Sequence, residues 1–98
     1  MTVYEGGRYI EGVSVTADGQ PLTPRFDLMV FSSSGFEWSY EGDGPRQLSL
    51  ALLADHLDDD DLALQGCEAF MVAIVANLGN AWRLSTEAID AAARVLLE

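Results

Sequence analysis

The sequence predicts an α+β fold, with a small antiparallel sheet of three or four N-terminal strands covered by about three C-terminal helices. Three observations point there. Short runs among the first forty positions, Val13–Thr16 and Phe36–Tyr40, alternate apolar with polar residues, the period of a half-buried strand. From Pro45 onward apolar residues recur at i, i+3, i+4 and i+7, the period of a helix. The strand-like segments all precede the helical ones, an order that favours helices packed on an antiparallel sheet.

Each element can be argued in turn. Val3-Tyr4-Glu5 leads into Gly6-Gly7, a two-residue turn signal, and on to Arg8-Tyr9-Ile10. Val13 and Val15 alternate with Ser14 and Thr16, and Asp18-Gly19 closes that strand with a second hairpin turn. Pro21 and Pro24 cannot donate to a ladder, which confines Leu22 to an edge or a loop. Phe26 to Phe31 reads as the strongest strand, apolar on both faces except at Asp27. After the loop Ser32–Gly35, Phe36, Trp38 and Tyr40 alternate with Glu37 and Ser39, which in a strand places three aromatics on one face.

Gly42-Asp43-Gly44 breaks that run, and Pro45 suits the first helical position, where its missing N–H costs nothing. The first helix runs from about Pro45 to Leu57, with an apolar arc so broad that it must be covered on more than one side. Asp58 to Asp61 link it to a second helix, whose buried face carries Cys67, Phe70, Met71, Ile74, Val75 and Leu78 and which Gly79-Asn80 ends. Ser85 caps a third, with Leu84 and Ile89 spaced as a hydrophobic staple. Trp38, Leu48, Leu52, Phe70, Ile74 and Ile89 are the expected core. Gly44 is expected at positive φ, and Gln47 is expected to reach back to a free backbone N–H near the cap.

The 98 residues suit one domain, 1–98, and an apolar content of 49% is far above that of a disordered chain. No apolar run approaches the roughly 18 residues of a membrane span, and the first residues lack the basic and apolar regions of a signal peptide. With one cysteine, Cys67, the expected compartment is the cytoplasm. Charge is the dominant feature: 16 acids face five arginines and no lysine, for a net charge of −11. Phosphate backbones repel such a chain, so direct nucleic-acid binding is not expected. Adaptation to a salty cytoplasm, where screening removes self-repulsion, is one source of this charge. A surface that imitates nucleic acid or pairs with a basic protein is the other. The missing lysines favour the first, since a mimic has no reason to exclude them.

The candidate chemistry is thin. Asp58-Asp59-Asp60-Asp61 lacks the spaced oxygens and turn glycine of a calcium loop and reads as a solvated helix N-terminus. His56, beside Asp55, is the one histidine. Ser49, a heptad earlier, is too little to make a catalytic pair. Cys67 falls on an apolar helix face, where cysteine acts as a small hydrophobe. Gly35, Gly42 and Gly44 match no phosphate-binding signature, and Asp43 would repel a phosphate. Phe36, Trp38 and Tyr40 lack the positive surroundings of a base-stacking platform and suit a core cluster or a protein-binding patch. No metal or cofactor is expected.

The segment Gly35-Phe36-Glu37-Trp38-Ser39-Tyr40-Glu41-Gly42-Asp43-Gly44-Pro45-Arg46-Gln47-Leu48, running into Ser49 to Leu53, resembles the signature of a small uncharacterised family of prokaryotic and phage proteins. That signature reads Gly-Phe-Glu-Trp, Tyr, Gly-x-Gly-Pro, Gln-Leu, then a Leu-Ala-Leu-Leu helix. Tyr4-Glu5-Gly6 and Trp82 fit it too, while Ser39 and Asp43 depart from it. The resemblance implies a phage, plasmid or archaeal setting and no chemistry. If the motif makes a site, Phe36, Glu37, Trp38, Tyr40, Gly44, Pro45 and Gln47 form it, as a protein-binding surface. The leading expectation is thus a non-enzymatic acidic interaction protein of mobile-element or haloarchaeal type. One form is a counter-defence inhibitor that covers a basic channel in a host protein. The rival is a small enzyme, or enzyme accessory, using Glu37 with Tyr40 or Gln47 as an acid–base pair.

Overall fold

The computed structural model describes residues 2–96. Its order is β1 (Val3–Tyr9), β2 (Gly12–Ala17), β3 (Gln20–Pro21), α1 (Asp43–Leu57), α2 (Asp60–Ala73), a 3-10 turn (Val75–Asn77), β4 (Trp82–Ser85) and α3 (Thr86–Leu96). The strands lie in the order β3-β2-β1-β4, every pair antiparallel. This is the expected α+β architecture, with one difference of topology. The fourth strand comes from the C-terminal half, between α2 and α3, and pairs with β1.

Register explains the glycines of β1. Gly6 and Gly7 are not a turn; they lie within the strand, and the reversal falls at Ile10-Glu11, where Gly12 takes φ +129°. Gly6 stands opposite Trp82, whose ring would be only 2.3 Å from a Cβ there. Gly7 lies under the Tyr9 ring on the other face. Asp18 and Gly19 both have positive φ and make the expected tight turn into β3, where Pro21 sits on the sheet edge. On one side of β1, Tyr4 meets α1 through Asp55, Gly6 meets the Trp82 ring and Arg8 meets Trp38. Glu5, Ser14, Thr16 and Arg83 face outward, where with Tyr9 they line a shallow concavity of about 500 Å³.

α1 is the central element. Apart from half-buried Arg46, every residue from Gly44 to Ala54 is buried, as its broad apolar arc requires. α2 packs on it through small residues, Ala63, Gly66 and Cys67, and Ser49 Oγ donates to Cys67 O at 2.6 Å. Trp38, Leu48, Leu52, Phe70 and Ile89 lie in one buried cluster, and Ile74 is half-buried against it. α2 stops at Ala73, short of the expected Leu78. The Asn77 side chain donates to Val72 O and Ala73 O, taking carbonyls that another helical turn would use. Ser85 Oγ accepts from Ala88 N, so the predicted cap of α3 is in place. Among the described residues no helix is long and apolar enough to cross a membrane.

Candidate functional site

Both strands expected between Phe26 and Tyr40 are absent. Phe26 to Phe31 forms a turn and loop. Arg25 takes φ +56°, and Leu28 N donates back to Arg25 O at 3.0 Å, which curls the chain. The backbone groups that a neighbouring strand would have paired go to one side chain instead. Gln47 of α1, fully buried, accepts from Phe31 N at 2.7 Å and Ser32 N at 3.2 Å. It donates to Pro24 O at 2.6 Å and Met29 O at 3.1 Å. An amide side chain has two donors and an acceptor oxygen with two lone pairs, so all four of its hydrogen bonds are made. Contrary to the expectation, Gln47 does not reach back to the cap of α1; it clamps the loop 24–32.

A second tie comes from Arg25, whose guanidinium spans Asp27 at 3.1 Å and Asp60, the first residue of α2, at 3.2 Å. The arginine holds the Asp27 carboxyl below the usual range. Leu22, Leu28 and Phe31 turn into the core. Phe26, Met29 and Val30 do not, and are 41%, 47% and 53% exposed.

The Phe36–Tyr40 run is no strand either. Ser39 sits at φ +78°. Its N–H donates to Val75 O and its hydroxyl to Leu78 O, pinning the segment onto the chain that follows α2. The aromatics consequently diverge: Trp38 is fully buried, Phe36 half-buried and Tyr40 half-exposed. Trp38 Nε1 donates to Gly79 O at 2.7 Å, and its ring meets that of Trp82 edge-on, 5.7 Å between centroids. Arg8 of β1 closes the corner. Its guanidinium stands 4.7 Å from the Trp38 ring centroid and donates to Glu37 Oε1 (2.7 Å), Trp38 O (2.9 Å) and Asn80 Oδ1 (2.8 Å). Glu37 is thus paired with Arg8. Its carboxylate also accepts from Trp38 N.

Gly44 requires a correction. Its φ lies outside the left-handed region, so backbone conformation does not demand glycine there. Close approach does: a Cβ would stand 2.7 Å from Glu37 Cβ and 3.3 Å from Glu37 N. Pro45 falls in the first turn of α1, which starts two residues before it, and is buried. Of the seven residues that the motif offered as a protein-binding surface, Trp38, Gly44, Pro45 and Gln47 are buried and cannot meet a partner. Phe36 and Glu37 are half-buried, and only Tyr40 is exposed. The motif builds the scaffold. The exposed residues it positions, Phe26, Met29 and Val30, carry no sequence signal of exposure, because their apolar run reads as a core strand.

The remaining candidates fall to structural roles. Asp59 caps α2 by accepting from Leu62 N. His56 Nε2 lies 3.5 Å from Asp90 of α3, and Ser49 is spent on Cys67 O, so the two make no pair. Burial, and then the nearby Glu68 charge, push the Cys67 thiol up. Arg46 joins α1 to α2 through Glu68 at 2.6 Å and lowers the Glu68 pKa. Tyr4 donates to Asp55 of α1 at 2.6 Å; burial and then that carboxylate drive its phenol pKa far up. Among the described residues no three His, Cys, Asp or Glu side chains gather as a metal site would require.

Residues 4–95 match the model of a family of unknown function, DUF6166. No curated protein and no solved structure matches the chain.

Proposed function

We propose, for a chain that belongs to the DUF6166 family of unknown function, a non-enzymatic role: an acidic interaction protein that binds a basic surface of a partner protein. The setting of this reading is the cytoplasm of a prokaryote, haloarchaeal or carrying a phage or plasmid. One observation carries it. Arg8, Arg25, Arg46 and Arg94 are each closed into ion pairs with the chain's own acids. Meanwhile Glu5, Glu11, Glu41, Asp58, Asp61 and Glu87 are exposed and, among the described residues, carry no ion pair. The uncompensated charge therefore faces outward, where it steers a positively charged partner and repels phosphate. In its specific form the protein covers a basic nucleic-acid channel of a host defence protein.

The rival enzymatic reading draws less support. Gln47 has no hydrogen-bonding capacity left for a substrate, and Glu37 is held by Arg8 and the Trp38 N–H. The test is affinity capture from host lysate, followed by reconstitution with the purified captured protein and competition with duplex DNA. A defined partner whose DNA binding is displaced supports the proposal. Recovery of nothing beyond abundant cationic proteins overturns it. Glu37→Gln separates the rival: an enzyme loses turnover with its fold intact, whereas a structural glutamate lowers the melting temperature.

A further inference from the structure

We infer that the contact surface for that partner is the outward side of the clamped loop, Phe26, Met29 and Val30, and that it takes a partner segment combining apolar side chains with lysine or arginine. The inference rests on the interaction reading above and names its surface. Single exposed apolar residues are ordinary on protein surfaces. Here three large ones lie within five positions, 41%, 47% and 53% exposed, on a segment tied at both ends and in its middle. Gln47 holds the backbone at Pro24, Met29, Phe31 and Ser32. Arg25 holds Asp27 and Asp60. Little ordering is left for binding to impose, and such preorganisation favours affinity.

Charge selects the occupant. The arginine beside the patch is already shared by two aspartates, leaving that triad net negative, and Asp61 of α2 is exposed next to Asp60. Anionic lipid headgroups and nucleic acids are repelled by this rim, whereas a basic segment is complementary to it. Apolar contact also persists where salt screens charge to within about 3 Å, as at 1 M. A partner in a salty cytoplasm needs such contact, because steering by charge fades there.

The test uses a defined probe on the full chain: a helical peptide with leucines at i, i+3, i+4 and i+7 and lysines elsewhere. Oligolysine of equal charge and the same peptide with glutamate for lysine are its controls. Binding is read by fluorescence anisotropy and amide shift mapping at 0.05 M and 1 M NaCl. The expected result is shift changes confined to residues 25–32 and the start of α2, with binding retained at 1 M. Met29→Ser with Val30→Ser weakens binding at least tenfold and leaves the melting temperature within a few degrees. Equal binding of the glutamate peptide refutes the charge preference. Shifts spread over all the acids and lost in salt overturn this surface while leaving the electrostatic proposal standing. Failure of both lysine probes to bind overturns the two together.

Discussion

Removing the Gln47 amide is the sharpest perturbation of this structure. Gln47→Ala deletes four hydrogen bonds at once and leaves Phe31 N, Ser32 N, Pro24 O and Met29 O without their partner. At a net 0.5–1.5 kcal/mol each, the four are worth about 2–6 kcal/mol. The loop can lift away and give those groups to water, which caps the global loss at about 2–4 kcal/mol. For a chain of this size that lowers the melting temperature by roughly 8–32 °C. Thermal melts followed by circular dichroism measure it, and amide exchange localises it, since Phe31 and Ser32 should lose protection first. Gln47→Glu adds a sign test. Burial and the two facing carbonyls raise this carboxyl above its unfolded value of about 4.3. A raised folded pKa gives stability that is present below the unfolded pKa and is lost as pH climbs through the folded one. The gap between this variant and the parent should therefore widen from pH 4 to pH 8. An unchanged melting temperature in Gln47→Ala, or protected Phe31 and Ser32 amides, would refute the clamp.

Three further outcomes are expected. Gly44→Ala must push the Glu37 backbone away, and should cost about 1–3 kcal/mol as overpacking does; a melting temperature equal to the parent's would show that the corner yields freely. If the acidity answers a salty cytoplasm, the melting temperature should climb with monovalent salt from 0.01 M to 1 M, as the screening length falls from about 30 Å to about 3 Å; a flat profile sinks that idea. The Tyr4 phenol, pushed up by burial and Asp55, contributes stability that is present below its unfolded pKa of about 10 and is lost as pH climbs above it. Stability should thus drop above pH 10 more steeply in the parent than in Tyr4→Phe, and equal alkaline slopes would speak against a buried phenol.

The helical half of the fold was legible because its signals are local. The broad arc of α1, the small and apolar face of α2 and the Ser85 cap of α3 each follow from spacing within a few turns. What escaped depends on partners distant in sequence. Gly6 and Gly7 read as a turn because Trp82, the aromatic that covers Gly6, becomes a neighbour only once β1 and β4 pair. Phe26–Phe31 reads as a strand because nothing nearby announces that Gln47 will take its backbone groups. The same blindness hid the exposed loop, since an apolar run has the same composition whether it enters the core or is held outside it. Gly44 reads as a positive-φ glycine from its place in the turn, yet what demands glycine there is the Glu37 side chain that crowds it.

The placement of β4 has a consequence for how this chain is made. β2 reaches β1 as soon as a short hairpin has emerged from the ribosome. The opposite side of β1 must wait for residues 82–85, until after α1 and α2 have been synthesised. Closing so long a loop adds an entropic cost that grows only slowly with its length. In the interval, however, Val3 to Gly6 offer unpaired N–H and C=O groups that any other extended chain can use. Interrupting synthesis, or cutting the chain before Trp82, should therefore yield a product that associates with its own kind, however well its first two helices pack.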